Sequence, residues 1–168
     1  MRTIPTIIAA GLIVLLTACG QPQEQGTSSP PPSLDDAQRA ALIAALPAPY
    51  NAGDWAEGRR VFARCRACHT LNEGGANMTG PNLWQVFGRE AGTHERYNYS
   101  PALRDAGFVW DAERLDQWLN DPRGFLPGNK MSFAGVRDET DRRNLIAFLK
   151  VETGFPPEAE PASPEAAP

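Results

Sequence analysis

The feature that most constrains this chain is the run Cys65-Arg66-Ala67-Cys68-His69. On a helical turn, positions i, i+3 and i+4 share one face, so two thiols and an imidazole emerge side by side. This is the C-x-x-C-H spacing of c-type haem attachment, in which the thiols form thioethers with the two vinyl groups and the imidazole reaches the iron. Three other readings use the same residues. Zinc would need a fourth ligand at ligand spacing, and His94 is the only other histidine. A Cys65–Cys68 redox disulfide belongs with a β-α-β pattern, which the flanks lack. Chance co-occurrence is the third, in a chain with only three cysteines.

One haem c, covalent through Cys65 and Cys68, raises the question of a second axial ligand. Methionine suits an electron carrier because His/Met ligation raises the potential. Met78 and Met131 both lie downstream. Met78 follows His69 by nine residues, on a loop that would have to fold sharply back. Met131 follows Pro127 and Gly128, which force a turn able to present its thioether to the far haem face. A lone methionine more often fills core, but this context favours Met131.

Helix signals dominate the rest. Ser33 has Asp36 three residues on and opens a short helix to Leu46, closed by Pro47 and Pro49. A second helix is predicted from Asp54 to about Arg66, with Trp55, Gly58, Val61 and Phe62 at helical spacing. Ser100-Pro101 opens another, and Asp111 caps one that ends at Asn120-Asp121-Pro122. The last starts near Asp138 and stops before Gly154, with Leu145, Ile146, Phe148 and Leu149 as its buried stripe. With no convincing β-run and no repeat, the fold class is small, all-α and loop-rich.

The 168 residues suit one domain plus tails. Between Tyr50 and Phe155 fourteen basic residues balance fourteen acidic ones, so the overall charge of −4 comes from outside this stretch. A neutral middle with two lysines, Lys130 and Lys150, offers no basic patch, which excludes nucleic acid as a partner. Prolines crowd into 22–49 and 156–168, marking linker and tail.

Met1-Arg2 and the uncharged, mostly apolar run from Ile4 to Leu16 form a signal-peptide pattern too short to span a bilayer comfortably. Leu16-Thr17-Ala18-Cys19-Gly20 resembles the lipobox of bacterial lipoproteins, where cleavage precedes a cysteine whose sulfur carries diacylglycerol. An ordinary signal peptide or an uncleaved anchor is the alternative. The expected organisation is a signal peptide at 1–18 and a lipidated, flexible segment at 19–33. A short helix with a Pro-rich connection follows at 34–52, then the main domain at 53–155 and a disordered tail at 156–168.

Residues from about Gly53 to Glu152 resemble class I, mitochondrial-type cytochromes c. The segments that carry the resemblance are C-R-A-C-H-T, G-G-A-N-M-T-G-P-N-L, F-G-R, P-G-N-K-M-S-F-A-G and D-R-R-N-L-I-A-F-L-K, in the family's order and near its spacing. The resemblance implies His69 and Met131 as axial ligands inside an α-helical shell. It implies that the Pro81 carbonyl accepts from the distal nitrogen of His69. It also implies that Arg89, Tyr99 and Trp110 hydrogen-bond or balance a haem propionate. Asn129 stands where a threonine that helps there is usual, and Phe133 would flank the exposed haem edge. Gly58 and Phe62 would pack against Leu145 and Phe148. Phe62, Leu145, Phe148 and Leu83 read as core.

Three departures stand out. Trp118 occupies the place of a common tyrosine and offers an N–H donor instead of a hydroxyl near Met131. Leu103 replaces a frequent asparagine, and the family's ring of lysines is missing. His94 falls on a loop and reads as a surface residue. By resemblance the chain is a one-electron carrier and not an enzyme, a monomer on the periplasmic face of a bacterial membrane, held there by lipid at Cys19. Its implied partners are a quinol–cytochrome c reductase and a terminal oxidase of a respiratory chain. The rivals are a haem-c peroxidase, which would need an iron left open by Met131, an electron-input domain serving a catalytic partner, and a sensor using ligand exchange at Met131.

Overall fold

A computed structural model describes residues 34–154. The expected signal peptide, Cys19 with its linker to residue 33, and the tail at 156–168 lie outside the described residues. The helices are α1 (Asp36–Ala44), α2 (Trp55–Phe62), α3 (Pro101–Arg104), α4 (Ala112–Asn120), α5 (Pro122–Phe125) and α6 (Glu139–Glu152), with a 3-10 turn at Tyr50–Ala52. Among the described residues the only β pairing is an isolated bridge between Glu90 and Val109. None of these helices is long and apolar enough to cross a membrane.

Most helix starts are written locally. Asp54, Asp111 and Asp138 each accept from the backbone N–H three residues on, at 2.9, 2.7 and 2.8 Å, and such a cap contributes about 1 kcal/mol. Ser100 does the same for α3, with Pro101 at its first position. Two expectations are corrected. The cap of α1 is Asp35, not Ser33, because Asp35 and Gln38 form a reciprocal capping box. The second helix ends at Phe62 rather than near Arg66, and the chain continues through tighter turns. A further short helix, α5, begins at Pro122, where the sequence predicts only a helix stop.

The frame of the domain is the crossing of α2 and α6. Gly58 sits where a Cβ would overlap the Asn144 carbonyl oxygen and come within 2.6 Å of the Phe148 Cβ. Only a residue without a side chain lets the two backbones meet so closely. Phe62 and Phe148 pack at 5.2 Å between ring centroids, and Leu145, Ile146 and Ala147 are fully buried. The Asp54 N–H donates to Asn144 Oδ1 at 2.9 Å, joining the start of α2 to the middle of α6. Helix α1 packs on α6. Its Arg39 guanidinium lies 4.9 Å from the Trp55 ring, and Trp55 Nε1 donates to Glu152 at 2.9 Å.

Candidate functional site

Just past α2, Cys65 N donates to Phe62 O at 2.8 Å, and the N–H groups of Cys68 and His69 both donate to Cys65 O, at 3.0 and 3.1 Å. These bonds keep helical spacing for one more turn, so Cys65, Cys68 and His69 share a face although the helix proper has ended. All three line one apolar cavity together with Met131. Its wall includes Phe62, Leu83, Leu103, Leu115, Leu145 and Leu149 from the core.

His69 is held from two sides. Its Nδ1 lies 2.7 Å from the Pro81 carbonyl oxygen, so Nδ1 carries the proton and donates, and Nε2 keeps its lone pair. Its ring packs on Gly80, where a Cβ would come within 2.7 Å of Nδ1 and Nε2. Burial holds its pKa below the usual value, partly offset by the bond to Pro81. The neutral imidazole is the form that ligates a metal. Burial pushes the Cys65 thiol up to about 11, against the depressed values of redox-active dithiols. Among the described residues no three His, Cys, Asp or Glu side chains stand close enough to hold a metal ion by themselves, which disfavours zinc.

Met131 rides on a loop pinned along its length. Asn129 Nδ2 donates to the carbonyls of Pro122 and Leu126, both at 2.8 Å, and Asn129 Oδ1 accepts from Met131 N at 2.9 Å. Asn129 does not line the cavity. Its amide is occupied in shaping the loop. Farther along, Val136 N donates to Leu119 O at 2.7 Å. Arg142 on α6 then reaches Asp116, Val136 O and Arg137 O at 2.8, 3.1 and 2.9 Å. Met78 is 47% exposed and lies off the cavity.

Arg89, Tyr99, Trp110, Trp118 and Phe133 also line the cavity. Trp110 and Trp118 meet edge to face at 5.6 Å, and neither indole N–H has an acceptor among the described residues. Both side chains are buried. Tyr99 is buried and its phenol pKa is raised, chiefly by burial. Arg89 Nη1 donates to Trp84 O at 2.9 Å and lies 3.0 Å from His94 Nδ1. His94 is therefore half-buried against Arg89, which corrects its reading as a surface residue.

Several contributors escape a motif-based reading. Asn82, 1% exposed, donates to Thr70 Oγ1 at 2.7 Å and to Asn72 O at 2.9 Å. It thereby fixes the loop that delivers the Pro81 carbonyl. Tyr97 and Lys130 line the cavity too, and Lys130 Nζ reaches Asn98 O at 3.2 Å. Only the G-P-N-L string hinted at Asn82. Nothing local singles out the other two.

The profile of the family described as Cytochrome c matches residues 55–151. The chain belongs to the cytochrome c family. It is 42% identical to cytochrome c2 of Blastochloris viridis over 109 residues, 65% of this chain and 86% of that one. It is 40% identical to cytochrome c of Stellaria longipes over 105 residues, 62% of this chain and 97% of that one. Among solved structures, cytochrome cH from Methylobacterium extorquens aligns with a TM-score of 0.55 at 42% identity, covering 58% of this chain and 98% of that one. The cytochrome c domain is thus a class I, all-α electron carrier rather than an enzyme, and its cofactor is haem c attached through the Cys65/Cys68 motif. The cavity fits that group: two thiols, an imidazole and a thioether line one space whose remaining wall is largely apolar.

Proposed function

We propose that this cytochrome c shuttles single electrons between a quinol–cytochrome c reductase and a terminal oxidase, with His69 and Met131 as the two axial ligands. The observation that carries the reading is the presence of His69 and Met131 in one cavity, each on an independently braced loop. When bound, the haem would supply reversible one-electron exchange, and His69 and Met131 would hold its iron.

The residues do the rest by position. His69 is oriented through Pro81, which raises its basicity toward a metal. Asn129 and Arg142 hold the Met131 loop at both ends, so the thioether stays in place and little has to move when the charge changes. The apolar wall excludes water, and Arg89, Tyr99 and Trp110 would supply donors for the buried carboxylates of the cofactor. Half-buried Phe133 and the attachment motif form the side of the domain that docks with redox partners through small, transient interfaces.

A lipid at Cys19 would hold this domain at the periplasmic face of a bacterial membrane. The fourteen residues from Gly20 to Ser33 are rich in Gln, Ser, Gly and Pro, a linker composition. The near-neutral domain gains little from charge steering, and confinement beside the membrane raises its effective concentration near membrane partners. A chain lacking residues 1–33 should support less oxidase turnover at low protein levels; equal turnover refutes the role of the tether.

Absorption spectra test the ligands. The oxidised protein should show a methionine–iron charge-transfer band that Met131→Ala abolishes, and the reduced protein should not bind carbon monoxide. A missing band together with carbon monoxide binding would mean an open iron and a peroxidase or sensor instead.

A further inference from the structure

Arg89 is shared between two cavities. One is the apolar cavity of Cys65, Cys68, His69 and Met131. The other is a polar, open cavity of about 890 Å³ lined by Asn77, Asn82, Trp84, Arg89, His94 and Arg96 among others. His94 lines only the polar one. The guanidinium therefore separates a solvent-connected space from the cofactor space, with a histidine on the solvent side.

The contact between the two side chains has only one consistent protonation pattern. An arginine donates and never accepts, so His94 Nδ1, 3.0 Å from Arg89 Nη1, must be the lone-pair nitrogen of a neutral ring. Nδ1 is also the one site at which that ring can take up a further proton. A proton and the Arg89 N–H thus compete for a single lone pair, and charging His94 necessarily breaks the contact. Arg89 then keeps its bonds to Trp84 O at 2.9 Å and Asn82 O at 3.3 Å, but a second positive charge stands beside it. Tyr99 lies five residues farther along the same segment, in the wall of the cofactor cavity.

We propose that His94 is a positioning residue for Arg89 and a redox-linked proton site, making the reduction potential of this cytochrome rise as pH falls. The inference rests on the electron-carrier reading and deepens it. When an electron arrives from a donor protein, the lost positive charge raises the proton affinity of His94. A fraction of a proton then moves from solvent, through the polar cavity, onto Nδ1. On oxidation the electron leaves to the acceptor and that proton returns to solvent. Acid favours the reduced form because a charged His94 adds positive charge next to the guanidinium. Three charged groups act on the ring: Arg89 and Arg96 oppose its protonation and Glu95 favours it. Burial and the two arginines hold its pKa below the ordinary value, so the linkage appears on the acid side of neutrality.

The test measures the potential of the purified holoprotein from pH 4.5 to 8, for the wild type and for His94→Gln. Alongside it, proton NMR follows the His94 ring through its titration in each oxidation state. The expected result is a rise in potential toward acid in the wild type, flattened in His94→Gln, and a proton affinity of His94 at least threefold higher in the reduced protein. At about 59 mV per tenfold for one electron, threefold corresponds to about 28 mV between the two plateaus. An acid limb that persists unchanged in His94→Gln overturns the proposal. So does equal His94 proton affinity in the two states, read on the wild type even if the variant misfolds. A protein without covalent haem, or without a one-electron wave at any pH, overturns the carrier reading itself and the linkage with it.

Discussion

Replacing Gly58 with alanine sets two effects of opposite sign against each other. In an exposed helix interior alanine is more favourable than glycine by about 0.8–1.0 kcal/mol. At this position the added methyl group would overlap the Asn144 carbonyl oxygen and stand 2.6 Å from the Phe148 Cβ, where carbon atoms prefer about 3.5–4.0 Å. The obstruction is backbone in the middle of α6, so no side chain can rotate away. The helices must part by about 1 Å along a contact that also carries the Phe62–Phe148 stack and the bond from Asp54 to Asn144. Overpacking of this kind costs about 1–3 kcal/mol, here the upper end because the clash is with backbone. Subtracting the propensity gain leaves a loss of about 2 kcal/mol. For a domain of this size that lowers Tm by about 8 °C, at about 4 °C per kcal/mol. Circular dichroism melts of wild-type and Gly58→Ala holoprotein measure it. An unchanged or higher Tm would refute the idea that the α2–α6 crossing depends on this close approach.

Three further outcomes are expected. Arg142→Met removes a guanidinium whose side chain is 10% exposed, paired with an Asp116 that is 23% exposed, and it frees the Val136 and Arg137 carbonyls. A fully buried broken pair costs about 3–5 kcal/mol, and the partial exposure of Asp116 reduces this to about 2–3 kcal/mol, seen as a lower urea midpoint; no change would mean the Met131 loop is held elsewhere. His94 binds a proton less readily in the folded than in the unfolded chain. Stability from this group is therefore intact above the unfolded value of about 6.5 and falls as pH drops from there through the folded pKa, an acid-side loss that His94→Gln should lack in urea titrations at pH 5 and 7. Cys19→Ser should move the protein from the membrane to the soluble fraction, and an unaltered partition in that variant argues against acylation.

The local signals were strong where one short stretch contains the whole interaction. Asp54, Asp111, Asp138 and Ser100 each bond to an N–H three residues away, so their caps can be read from spacing alone. Cys65, Cys68 and His69 carry their chemistry within five residues, and the apolar stripe of α6 follows from helical period. Asp35 rather than Ser33 caps α1 because the Gln38 side chain returns to the Asp35 N–H while the Asp35 carboxylate accepts from the Gln38 N–H.

Tertiary structure alone decided what depends on partners distant along the chain. Arg142 meets Asp116 across 26 positions, and the Gly58 backbone needs to know where Asn144 lies. Asn129 could face a cofactor carboxylate or its own loop, and its amide bonds two carbonyls from the α5 turn. His94 and Arg89 are only five residues apart, but the conformation of the turn between them, not their spacing, brings the guanidinium to the ring's lone pair. The physical reason is common to Arg142 and Gly58. A residue's type sets which bonds it can make, but the packing of distant segments sets which partner is within reach and whether water competes for it.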